Sequence, residues 1–84
     1  MPTLFDILER YGVFSRTVPN VEPHRDDFGL WRIKFSAPGD PASMMDIGGA
    51  VKLATELHAV DKDFAEKLEA AVSTARGYAG LPDR

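Results

Sequence analysis

Apolar and polar side chains alternate without a break over residues 31–35. A period of two is typical of a strand that buries one face and leaves the other in water. The pattern therefore predicts a strand over residues 28–36. Its inward residues are aromatic or aliphatic: Trp31, Ile33 and Phe35. Its outward residues are cationic: Arg32 and Lys34.

Residues 13–18 predict another strand, which Pro19 would end. Residues 19–27 lie between the two stretches, are polar and contain two prolines. They exceed a tight hairpin turn in length, so the sequence predicts a loop here. We expect the two strands to pair antiparallel across this loop.

Residues 3–11 carry apolar side chains at helical spacing and predict a short first helix. Thr3 is suited to cap its first turn, and Asp6 lies at the position that completes a capping box. Gly12 follows the last turn, where a left-handed residue commonly ends a helix. The helix therefore has a start signal and a stop signal.

A longer helix is predicted over residues 41–58, with Asp40 at the cap and Pro41 at the first helical position. Gly48 and Gly49 interrupt the pattern. An interior glycine costs up to about 1 kcal/mol relative to alanine, so the pair requires a reason. Close approach of another backbone is one reason, and a helix that begins only after the glycines is another.

The last helix is predicted over residues 62–77, with Asp61 as its cap. The connection from the preceding helix is short, which indicates an antiparallel helical hairpin. Residues 80–84 are expected to form a frayed end.

These elements predict a single small α+β domain of order α-β-β-α-α. An antiparallel β-hairpin would pack against one helix and a C-terminal helical hairpin. A chain of 84 residues has room for one domain and a small core. Because an isolated hairpin is marginal and both its edges are open, helices or a second copy of the chain would have to support it.

The net charge of −3 is unevenly distributed along the chain. Residues 1–36 hold equal numbers of acidic and basic side chains, so the excess of acid lies in residues 37–84. An acidic protein repels phosphate backbones on average. Nucleic-acid binding would therefore need a local basic patch in the first part of the chain.

The hairpin carries the residues that we select as a partner-binding site. They are cationic, with one apolar neighbour: Arg16, Arg25, Leu30, Arg32 and Lys34. Arginine mixed with apolar groups is typical of a protein interface. Sheets that bind nucleic acid usually stack bases on exposed aromatic residues, whereas the alternation turns these inward. An ordinary solvated strand face, whose charges prevent aggregation, is the simpler interpretation.

We therefore expect a non-enzymatic protein-interaction module, of the regulator or inhibitor kind. It would bind another protein, or a second copy of itself, through the outer face or the open edge of the hairpin. A nucleic-acid-binding regulator that uses a local basic patch on the hairpin is the alternative hypothesis.

Catalytic and metal chemistry has little support in the sequence. The chain has no cysteine, which excludes disulfides and thiolate sites, and its serines lack an elbow motif. His24, Asp26 and Asp27 could contribute metal ligands, but no regular ligand spacing frames them. We expect no catalytic residue, no metal and no cofactor.

Targeting signals are also missing from the pattern. We find no secretory signal and no apolar run near the roughly 20 residues that span a bilayer. The expectation is a cytoplasmic protein without membrane association.

Overall fold

The sheet has three strands, and its centre is the strand that the alternation predicts. In the computed structural model, which describes residues 3–80, β2 (Trp31–Ser36) lies between β1 (Asn20–Arg25) and β3 (Ser43–Met45). Both neighbours run antiparallel to β2. The antiparallel hairpin is confirmed, but its first strand is not the predicted one, and one further strand lies at its side.

Three helices complete the order α-β-β-β-α-α: α1 (Leu4–Arg10), α2 (Ile47–Leu57) and α3 (Lys62–Ala79). The α+β class is confirmed, and the predicted order lacked one strand. Within residues 3–80, no helix is long and apolar enough to cross a bilayer.

The helices cover one face of the sheet and leave the other in water. α3 packs on β1 and β2, α2 packs on β2 and α3, and α1 packs on α2. The fully buried large side chains lie between these layers: Leu8, Ile33, Phe35, Leu53, Leu57 and Leu68. Residues 3–80 thus share one hydrophobic core and form a single domain.

The strand predicted over residues 13–18 is wrong, because this segment is irregular. β1 instead lies in the stretch predicted as a loop. Its Val21 and Pro23 stand opposite Phe35 and Ile33 on the helix side of the sheet. Proline hides this alternation because it usually ends a strand.

Pro23 is tolerated because its missing N–H faces the open edge. The Asp26 N–H donates to the Leu30 carbonyl at 2.8 Å, which marks a hydrogen-bonded pair. Such pairs alternate with non-bonded pairs in an antiparallel ladder, so Pro23 and Ile33 form a non-bonded pair. No ladder hydrogen bond is lost within the sheet.

The helix predicted over residues 41–58 begins later, at Ile47. Residues 43–45 form β3 and pair with β2, which buries Met45. Asp46, not Asp40, caps the helix, and its Oδ1 accepts from the Gly49 N–H at 2.7 Å. Because residues 43–45 pair with β2 as a strand, the helix begins at Ile47 rather than at residue 41.

The other helix ends follow their local signals. Thr3 and Asp6 form the capping box of α1, and Gly12 follows with a φ of +83°. Asp61 caps α3, which continues beyond the predicted end to a left-handed Gly80. Of the expected frayed end, residues 81–84 lie outside the described residues.

The two glycines of α2 give a matched test of its start. A Cβ on Gly49 would lie 2.7 Å from the capping oxygen of Asp46 and 3.1 Å from Cγ of Met45, whereas one on Gly48 meets nothing within 4 Å. Gly48→Ala is expected to raise the free energy of unfolding by up to about 1 kcal/mol. In Gly49→Ala the added methyl group displaces the Asp46 cap, which contributes about 1 kcal/mol. This variant should therefore be less stable than Gly48→Ala by about that amount. Urea unfolding measures both, and equal stabilities would contradict this account.

Candidate interaction surface at the hairpin turn

The connection between β1 and β2 is a tight turn organised by the carboxylate of Asp26. Its Oδ1 accepts from the N–H groups of Phe28 at 2.9 Å and Leu30 at 2.8 Å. Its Oδ2 accepts from Nε of Arg32 at 2.8 Å. Gly29 supplies the positive φ, +82°, that closes the turn. Oδ1 therefore holds the backbone of the turn, and Oδ2 holds the side chain of Arg32 on β2.

These contacts keep Asp26 ionised. Its pKa lies below the ordinary value, chiefly because Arg32 donates to the carboxylate, and further because the Leu30 N–H does so. Residues 19–27, which were expected to form a polar loop, are largely an ordered strand and turn: His24 lies in β1, and Asp26 begins the turn. Within residues 3–80, no three histidine or carboxylate side chains are placed to hold a metal ion.

The turn directs apolar side chains into water. Phe28 is 88% exposed and Leu30 is 56% exposed. Beside them lies an open groove of about 730 Å³ between the turn, the start of α2 and the end of α3. Trp31 and Tyr78 form part of its wall, with ring centroids 4.9 Å apart and planes inclined by 35°.

Arg25 stands at the rim of this groove. It is opposite Trp31 in the register, and its guanidinium lies against the turn, with Nη2 3.3 Å from where a Cβ on Gly29 would be. Across residues 3–80, the side chain of Arg25 has no ion pair or hydrogen bond, and neither has that of the exposed Asp27. We call this region the turn-end surface; its residues are Arg25, Asp27, Phe28, Leu30, Trp31 and Tyr78.

Arg32 and Lys34 lie on the outer face of the sheet, as the alternation predicts. Each cation has an anion nearby, because Arg32 binds Asp26 and Lys34 stands directly across from Glu22. His24 is the cross-strand neighbour of Arg32. The outer face is therefore close to neutral rather than a continuous basic patch.

The other two predicted cations lie elsewhere. Arg25 is on the opposite face of the sheet from Arg32, because its partner in the register is Trp31. The placement of Arg16 on the hairpin is wrong: it lies in the irregular segment, 3.4 Å from Asp40 at the far end of the sheet. A six-residue strand separates the two ends by about 20 Å. The structure does not assemble the five selected residues into one site.

The open edges of the sheet are poor templates for another strand. On β1 the outward backbone groups belong to alternate residues, and Pro23 in their middle has no N–H to donate. β3 has three residues, and the same alternation leaves Met44 alone with outward backbone groups. Pairing through an edge is thus less favoured than the sequence suggested.

Four residues of the turn-end surface were not selected from the sequence as partner-binding residues: Asp27, Phe28, Trp31 and Tyr78. Phe28 had a usable signal, because Asp26 and Gly29 occupy the first and fourth positions typical of a type I turn. A residue inside such a turn is exposed. Trp31 and Tyr78 had no usable signal in the sequence, because their contact joins β2 to the far end of α3.

The Asp26 interaction is testable by pH. Because folding lowers this pKa, its contribution to stability is present above the unfolded value of about 3.9 and is lost as the pH falls through the folded pKa. Arg32→Ala should move the pKa of Asp26 upward, toward its ordinary value. Lys34→Ala, one pair further along, should leave it lowered. NMR titration of the Asp26 carboxyl carbon measures both, and an unchanged pKa in Arg32→Ala would contradict the assignment.

Comparison with known proteins adds no homologue to this geometry. No protein-family model matches the chain, and no curated protein or solved structure matches it. The functional argument rests on the surface itself, where an ordered turn exposes two apolar side chains beside an aromatic pair and an unpaired guanidinium.

Proposed function

We propose that this chain is a non-enzymatic protein-interaction module, of the regulator or inhibitor kind, that binds a protein partner through its turn-end surface. The observation that carries the proposal is the position of Phe28. This side chain is the most exposed large hydrophobic group among residues 3–80, and it sits on a turn that three hydrogen bonds to Asp26 hold in place.

Exposure of such a group is unfavourable unless something covers it. Burying a phenylalanine side chain contributes about 1.5–3 kcal/mol relative to leaving it in water. The turn keeps Phe28 directed outward, so this free energy is available to a partner. Leu30 and Tyr78 extend the apolar area, and contiguous exposed apolar groups mark interaction sites.

The composition of the surface also supports a protein partner. Tryptophan, tyrosine and arginine are the residues most enriched among interface hot spots. Here Trp31, Tyr78 and Arg25 surround one groove. Arg32 reaches the same groove, whereas Lys34 and Arg16 are not part of its lining.

Nucleic-acid binding has less support. The four cations of the selected hairpin site do not form one patch. Asp40 and Asp26 neutralise Arg16 and Arg32, and Arg25 lies on the opposite sheet face from Lys34. A backbone-binding protein instead gathers several cations along one track.

Phe28 and Phe14 provide a matched pair for testing the surface. Phe14 is also well exposed, at 60%, but it lies in the irregular segment beside Arg16, remote from the turn. The chain and its Phe28→Ser and Phe14→Ser variants would be used to capture proteins from the native cell, followed by quantitative mass spectrometry. Loss of Phe28 should reduce retention of the partner at least about tenfold, as expected for a hot-spot residue.

The Phe14→Ser variant should retain the partner as the unmodified chain does. Equal melting temperatures would show that both variants fold. Equal retention by the two variants would overturn the proposal, as would retention of nucleic acid alone at low salt.

A further inference from the structure

We propose that the partner of the turn-end surface is a second copy of this chain, bound reciprocally. Asp27 and Phe28 of each copy enter the groove of the other, with the carboxylate against Arg25 and the ring against Trp31 and Tyr78. The inference rests on the proposed function, because it uses the same surface and names its occupant.

The charges of the surface are complementary to themselves. Arg25 and Asp27 are exposed, and neither has an ion-pair partner within the described part of the chain. The nearby carboxylates are already engaged, since Asp26 binds Arg32 and Asp46 caps α2. Among residues 3–80, the surface therefore offers one free cation and one free anion, two residues apart.

Twofold symmetry makes use of both charges. In an isologous dimer, every contact between two different residues occurs twice. Asp27 of one copy meets Arg25 of the second, and the reverse contact follows automatically. An unrelated partner would have to supply both charges in matching positions, whereas a second copy carries them by construction.

The apolar groups are arranged in the same way. Phe28 projects from the turn and does not line the groove of its own copy. The groove contains an aromatic wall of Trp31 and Tyr78, and Tyr78 is 63% exposed. Aromatic rings associate readily in offset or edge-to-face arrangements. Each copy thus presents an aromatic side chain and an aromatic site for one.

The size of the surface sets the expected strength of association. It is smaller than the roughly 20–30 residues a side of a standard interface, which places it among weak, reversible contacts. We therefore expect a monomer–dimer equilibrium at micromolar concentrations rather than an obligate dimer.

Charge reversal tests the proposed pairing. Sedimentation equilibrium would be run on the full chain from about 5 to about 500 μM, which brackets the affinity expected of a small interface. Arg25→Glu alone and Asp27→Lys alone each place like charges together twice, so each should raise the dimer dissociation constant at least tenfold. Lys52→Glu reverses an exposed cation of α2 outside the groove and should leave the equilibrium unchanged.

Mixing distinguishes this interface from any other. An equimolar mixture of the Arg25→Glu and Asp27→Lys variants restores opposite signs at both contacts, so it should form a heterodimer. Recovery of dimer in the mixture supports the inference. A dimer that ignores both reversals, or a mixture that remains monomeric, overturns it. Melting temperatures of the separate variants confirm that each is folded.

The outcomes for the two proposals are separable. If the unmodified chain is monomeric over the whole range, self-pairing is wrong. Phe28-dependent retention of a different protein would then still uphold the interaction module. If no protein depends on Phe28 and no dimer forms, both proposals fail.

Discussion

The carboxylate of Asp26 aligns β1 with β2, and most of the structure depends on that alignment. The turn's hydrogen bonds set a register that brings Val21 and Pro23 beneath the helices. A slip of one residue would turn Glu22 and His24 toward the core instead. Because the helices cover only one face of the sheet, such a slip would have no second core to compensate for it.

The parts of the fold that can be predicted from the sequence are those with local signals. Helix caps act over three residues, and the strict alternation in β2 is visible within six. β1 cannot be predicted in this way because its sequence contains Pro23. A strand tolerates proline only where the missing N–H faces an open edge, and that depends on how the strands pair. Asp40 and Asp46 are chemically equivalent caps, and the pairing of residues 43–45 with β2 decides between them.

The candidate site shows the same division. Outward placement of Arg32 and Lys34 follows from alternation alone. Their neutralisation does not, because it needs the turn that brings Asp26 to Arg32 and the register that sets Glu22 across from Lys34. Charge read along a chain therefore overstates the charge available on a surface. The groove depends on a contact between β2 and the end of α3, which no local pattern contains.

Pro23 makes the open edge of β1 a poorer site for pairing with strands of other molecules. Every other amino acid at this position would bring an N–H to the open edge, and that N–H would have no partner inside the domain. It would instead complete a row of donors and acceptors on which a foreign or misfolded strand could grow. Substitution of Pro23 is therefore expected to favour association between sheet edges of different molecules, even where it leaves the fold's own hydrogen bonds intact.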